Sequence, residues 1–229
     1  LQPAGAQAEV EEPVLRDPDG GPRHAEQQAG ADGAVVGERC AVQGIEDADE
    51  PFLGGGDLGL LGDQGRGPRR PVLVPNERGL DRALAAGVGA VAIFGSATQT
   101  FARKNLNRSV EESLAMFAPV VERARAEGLW VRGYVSMCFG DPWEGPVPVE
   151  QVVEVCRRLM DLGCDQLSLG DTIGVGTVGH VHRLLAGLDA VGITVDRVGV
   201  HFHDTYGQAL SNTLAALREG VTVVDAAAG

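Results

Sequence analysis

From residue 71 onward the chain alternates short apolar runs with amphipathic helical patterns, and this alternation limits its possible folds more than any other feature. Strands are expected at Val72–Pro75, Val91–Phe94, Trp130–Val135, Gln166–Leu169, Val198–Phe202 and Val221–Val224. Helical patterns fill most of the gaps. Gly79–Ala86 stops at Gly87, and Ser109 opens a longer helix with Glu112 three residues on, the pattern of a capping box. That helix turns Leu114, Phe117, Val120, Val121 and Ala124 to one side and ends at Gly128. Val149–Leu162 places Val149, Val152, Val153, Cys156 and Leu159 inward, and Val178–Leu188 does the same with Val178, Val181, Leu184, Leu185 and Leu188. Ala209–Leu217 is expected to bury Leu210, Leu214 and Leu217. The stretch from Ser96 through Lys104, Asn105 and Asn107 reads as a long loop, with reach enough to cover a site.

Strands spaced roughly 20–40 residues apart with helices between them are βα units, which require a parallel sheet. A doubly wound sheet and a barrel both satisfy that pattern. The polar residues favour the barrel. Asn76, Ser96, Thr98, Ser136, Asp171, Thr172, His201, His203, Asp204 and Asp225 fall just past the strands' C-terminal ends, where a (β/α)8 barrel assembles its site. The fold class is therefore α/β, a partial TIM barrel holding strands three to eight.

Residues 1–70 have a different make-up. They hold 14 acidic and 6 basic residues, so −8 of the net charge of −13 lies in under a third of the chain. They contain no Ser, Thr, Asn, Lys, Met, Trp or Tyr, and Gly and Pro interrupt them throughout. One expectation is a disordered acidic segment, since so few large apolar residues cannot offset chain entropy. A sharper one follows from the residue alphabet. Apart from Cys40, Ile45 and Phe52, every residue type present has a codon beginning with G or C. A GC-rich gene read out of frame would produce that bias, and the missing initiator Met fits a fragment. The nucleotide sequence tests this: ordinary barrel sequence continuing upstream of Val72 only in the present frame would refute it. The domain expectation is thus 1–70 low-complexity and 71–229 an incomplete barrel.

A net charge of −13 argues against a nucleic-acid partner, and no apolar run approaches the roughly 18 residues of a membrane span. No signal peptide opens the chain, and the four cysteines form no CxxC pair, which suits a reducing compartment such as the cytoplasm.

Three groups of residues carry chemistry. His201 and His203 flank Phe202 at a strand end, and residues two apart on a strand share a face, so both imidazoles can aim at one metal ion. Two buried histidines bonded to carbonyls would look the same. Asp171 lies in Gly170-Asp171-Thr172-Ile173-Gly174-Val175-Gly176, where glycines permit close backbone approach. It would project into the barrel mouth as a base or hold a metal's ligand or water; alternatively it caps the next helix. Arg132, Tyr134 and Ser136 alternate on one strand face. Inside a barrel Arg132 would need a carboxylate, from the protein or from a substrate. Lys104 could meet an acidic substrate or a phosphate, or could simply be solvated. His180 and His182 do not share a helix face and read as surface, and the cysteines read as packing.

Taken together, Val72–Asn76, Val91–Ala97, Val131–Ser136, Ser168–Gly176 and Val200–Leu210 resemble the hydroxymethylglutaryl-CoA lyases, metal-dependent enzymes on a TIM barrel. Related carboligases such as isopropylmalate synthase share the His-x-His but follow it with an Asn-Asp-Leu-Gly type sequence, not Asp204-Thr-Tyr-Gly-Gln208. The resemblance implies cleavage of 3-hydroxy-3-methylglutaryl-CoA to acetyl-CoA and acetoacetate with Mg²⁺ or Mn²⁺, an acyl-CoA partner, and full-length members that form homo-oligomers. It implies that His201 and His203 are metal ligands, that Asp171, Arg132 and His201 are catalytic, and that Tyr134, Ser136, Thr172 and Asn105 contact substrate.

The family's opening strands carry an Arg-Asp pair and a glutamate, and nothing in residues 1–70 matches them. A Cys-Pro loop and an Asn that follow the sixth strand here have no counterpart before Gly229. The expectation is a chain inactive as written. An aldolase or carboligase of the same group, or a non-catalytic fragment, are the alternatives.

Overall fold

A computed structural model describes residues 69–226. Both expectations for the acidic segment fall almost wholly on residues 1–68 and so lie outside the described residues. In chain order the elements are β1 (Val72–Leu73), α1 (Glu77–Ala85), β2 (Ala90–Ser96), α2 (Gln99–Leu106), α3 (Val110–Ala126) and β3 (Trp130–Ser136). They continue with α4 (Val149–Leu162), β4 (Gln166–Asp171), α5 (Val178–Asp189), β5 (Val198–Phe202), α6 (Ala209–Arg218) and β6 (Val223–Asp225).

Each strand pairs in parallel with the next, giving the sheet order β1-β2-β3-β4-β5-β6. A doubly wound sheet reverses its order at a switch point, and this one does not. The sheet is an arc of a TIM barrel with helices on its outer face.

Local chemistry explains where the helices begin and end. Asn76 accepts a hydrogen bond from the Gly79 amide at 2.9 Å and starts α1. Ser109 and Glu112 form the reciprocal capping box of α3, at 3.1 and 2.7 Å. α4 ends at Gly163, whose φ of 110° disfavours any side chain.

Strand residues alternate between two environments. A Cβ on Gly133 would meet the side chains of Leu159 and Cys164, so Val131, Gly133 and Val135 face the helices. The core lies on that side, where Ile93, Val131, Leu167 and Val200 pack with Phe117, Leu159, Leu184 and Leu188. Arg132, Tyr134 and Ser136 take the opposite, inner face, as the alternation expected.

Two expectations fail. Residues 99–106 are a helix, not a loop. And α6 buries Asn212, Ala215 and Ala216, while Leu210, Leu214 and Leu217 are 83%, 49% and 48% exposed. α6 packs on β5 and α5 with these small residues inward and the larger leucines outward. Smaller differences also occur. Val178 is exposed, Val149 and Val153 are only half-buried, and β6 begins at Val223 instead of Val221.

Candidate active site

The inner face carries a charged floor. Arg132 donates from Nη1 to Asp225 Oδ1 at 2.9 Å and from Nη2 to Gln166 Oε1 at 2.7 Å. Ser168 Oγ donates to the other Asp225 oxygen at 2.7 Å. The guanidinium carbon lies 5.3 Å from the Trp130 ring centroid, and Nη1 reaches the Tyr134 hydroxyl at 3.4 Å. The arginine is 5% exposed, so its charge needs this carboxylate; its Nε is buried with no partner. The partner comes from the protein, which decides one of the two options open for Arg132.

Above this floor a cavity of about 420 Å³ opens at the strands' C-terminal ends. Asn105, Tyr134, Ser136, Thr172, His201 and His203 all line it, and Asp225 joins them at its base. Six of the eight expected site residues are thereby brought together. The imidazoles of His201 and His203 stand 5.0 Å apart, centroid to centroid, tilted by 52°. Burial pushes the His201 imidazole below its ordinary pKa, the neighbouring His203 charge adds to that, and Asp225 opposes it. Burial likewise pushes the Tyr134 phenol up, so its proton is held.

The other two residues sit outside the cavity. Arg132 lies beneath it. Asp171 is 1% exposed, and its carboxylate is folded onto its own turn, accepting the Val175 amide at 3.0 Å and the Gly176 amide at 2.9 Å. Burial raises its pKa, against those bonds and the nearby His203 charge. A Cβ on Gly176 would come within 2.9 Å of Asp171 Oδ2, so the glycine makes room for the carboxylate. Thr177, not Asp171, caps α5. The Asp171 carbonyl accepts from the His203 amide at 3.4 Å, which ties the turn to the second histidine. Thr172 Oγ1 accepts from the amide of Met137, which has a positive φ of 60° at the end of β3.

The sequence placed Asp225 just past a strand's C-terminal end but did not suggest that it pairs with Arg132. The signal for Asp225 was its place: it pairs in register with His201 across β5 and β6 and so shares the inner face. The thiols of Cys138, Cys156 and Cys164 are buried, and those of Cys156 and Cys164 are pushed up to about 12 by burial, which leaves them as packing groups.

The family described as HMGL-like matches residues 69–228. The chain belongs to the HMGL-like family. It is 54% identical over 158 residues to the cytoplasmic 3-hydroxy-3-methylglutaryl-CoA lyase of Danio rerio, covering 69% of this chain and 47% of that protein. It is 50% identical over 160 residues to the mitochondrial hydroxymethylglutaryl-CoA lyase of Bos taurus, covering 69% and 49%. The solved hydroxymethylglutaryl-CoA lyase of Pseudomonas aeruginosa superposes with a TM-score of 0.67 at 45% identity, over 71% of this chain and 54% of that one. An Acinetobacter baumannii HMG-CoA lyase solved with coenzyme A and 3-methylmalate gives 0.62 at 30% identity, over 67% and 50%. This HMGL-like chain thus spans about half the length of the relatives it matches. Among its described residues, no helix is long and apolar enough to cross a membrane.

Proposed function

We propose that this chain builds part of the active site of a carbon–carbon lyase that cleaves 3-hydroxy-3-methylglutaryl-CoA to acetyl-CoA and acetoacetate with Mg²⁺ or Mn²⁺. The observation that carries this reading is the pair of inward imidazoles, His201 and His203, at the mouth of a sheet whose sequence matches the lyases at about half its positions. Their chemistry fits a divalent cation, since burial favours the neutral, ligating form of His201. They would be two of its ligands. Among the described residues, no cluster of three or more His, Cys, Asp or Glu is suited to a metal, so this pair is the part of such a site that they supply.

A cation held there supplies positive charge that lowers the pKa of the substrate's tertiary hydroxyl. The chain's own side chains do the rest. Tyr134, Ser136, Thr172 and Asn105 line the cavity with hydroxyls and an amide, and in this reading they orient the substrate. Asp171 holds the 171–176 turn through the amides of Val175 and Gly176, and its carbonyl accepts from the His203 amide. Arg132 and Asp225 balance each other, so the floor of the cavity carries little net charge. The buried free thiols fit a reducing compartment, which we take to be the cytoplasm.

The test is acetoacetate release from 3-hydroxy-3-methylglutaryl-CoA by the 229-residue chain, with Mg²⁺ or Mn²⁺ and with a chelator. Release that needs the metal and falls by a factor of about 100 or more in His201→Ala supports the reading. Condensation of acetyl-CoA with a 2-oxoacid, without cleavage, would point to a carboligase. No turnover in either assay would bear out the expectation of a chain inactive as written and refute an enzymatic role for it.

A further inference from the structure

The wall of the cavity formed by α2 is held by a loop from a different βα unit. α2 carries Phe101 and Asn105 into the cavity lining. Its N-cap residue, Thr98, makes no cap bond to its own helix. Thr98 Oγ1 instead donates to Asp141 Oδ2 at 2.6 Å, in the loop after β3. Asp141 is 3% exposed, and its other oxygen accepts the amides of Trp143 and Glu144 at 2.7 and 2.9 Å. A pair of backbone bonds between Asp141 and Gly145 closes the turn. Glu144 then reaches back to α2, and its Oε1 accepts the Thr100 amide at 2.6 Å. Further along the helix, Lys104 Nζ sits 4.8 Å from the Trp143 ring centroid.

The first amides of a helix have no partner within it, and a carboxylate at that end is favoured by the helix dipole. Glu144 supplies both the acceptor and the charge from 44 residues away. Three contacts of different chemistry therefore join one turn to the start, the N-cap and the third quarter of an eight-residue helix. So short a helix has little stability of its own.

We propose that residues 141–144 form a latch that positions α2, with Asp141 and Glu144 as positioning residues for the substrate-facing wall of Phe101 and Asn105. The substrate is the acyl-CoA of the proposed function, so this inference rests in part on that reading. Ordering the wall before binding lowers the entropy lost on binding, so the latch acts on substrate affinity more than on the chemical step.

The experiment uses the full chain with Glu144→Ala, Glu144→Gln, Asn105→Ala and, as a control, Glu154→Ala, which removes an exposed ion pair on α4. In Glu144→Ala, amide exchange in the peptide spanning α2 is expected to rise by about tenfold while β2 and β3 stay protected. KM for 3-hydroxy-3-methylglutaryl-CoA is expected to rise by about three- to tenfold with kcat within about twofold. Glu144→Gln retains the acceptor and should recover most of both effects. Asn105→Ala should raise KM with no change in exchange, and Glu154→Ala should change neither. Unchanged exchange of α2 in Glu144→Ala, or an equal rise across β2 and β3, overturns the latch. Absence of turnover in the unaltered protein counts against the proposed function alone, because exchange still decides whether α2 is latched.

Discussion

α3 and α6 have the same kind of sequence pattern, apolar stripes at helical spacing, and the structure treats them in opposite ways. α3 buries Leu114, Phe117, Val120, Val121 and Ala124, with Phe117 edge-on to Phe94 at 5.5 Å between ring centroids. α6 turns Leu210, Leu214 and Leu217 outward and packs on Asn212, Ala215 and Ala216. The Asn212 amide donates to the Gly176 carbonyl at 2.9 Å, so α6's inner face also secures the turn built on Asp171. An apolar stripe reports that a helix can bury that face; which face it buries depends on what stands beside it. α3 lies between α2 and α4 over β2 and β3, and α6 meets β5 and α5 with its small residues inward.

The largest test of this contrast is Phe117→Ala, expected to cost about 3–5 kcal/mol in denaturant unfolding, with the slope unchanged. Next, Arg132→Met should cost about 3 kcal/mol, because it leaves Asp225 without its cation and releases β6 from β3. Adding Asp225→Leu should recover much of that loss; a double variant no better than the single would mean the pair acts by more than charge balance. Ser109→Ala should cost about 1 kcal/mol by removing half of the α3 capping box. Gln208→Ala at α6 should cost almost nothing, since Gln208 makes no cap bond. Leu214→Ala should stay within about 0.5 kcal/mol, and a loss above about 2 kcal/mol would show that the α6 stripe is covered in solution.

The smallest effect is one of pH. The Ser109 amide holds the Glu112 carboxyl below its ordinary 4.5. A carboxyl lowered on folding stabilises above its unfolded pKa, and that contribution fades as pH falls through the lowered value. Thermal melts of Glu112→Ala and the unaltered protein should therefore differ at pH 6 and converge as the pH drops below 4.5.

Much of the site was readable because it depends on short-range geometry. The strand alternation through His201, on β5, and His203, one residue past its end, puts both imidazoles on one face, and residues two apart on β3 had to align Arg132, Tyr134 and Ser136. α2 was not readable. It buries only Phe101 and Ala102, too little to show a period, and its start is held by Asp141 and Glu144 from another loop. The direction of the Asp171 carboxylate was equally hidden. From the sequence, a carboxylate entering the cavity and one capping the next helix look alike; in the structure it accepts the amides of Val175 and Gly176.

The sequence by itself determined the βα alternation, the parallel sheet, the capped start of α3 and the shared face of the two histidines. Each follows from backbone periodicity or from groups within four residues of one another. Only the tertiary structure decided that Arg132 is neutralised by Asp225, 93 residues away, that α2 is capped from the loop after β3, and that α6 shows its leucines to solvent. Those outcomes depend on which distant groups arrive at a given place. A charge or an apolar face is satisfied by whatever neighbour the folded chain supplies.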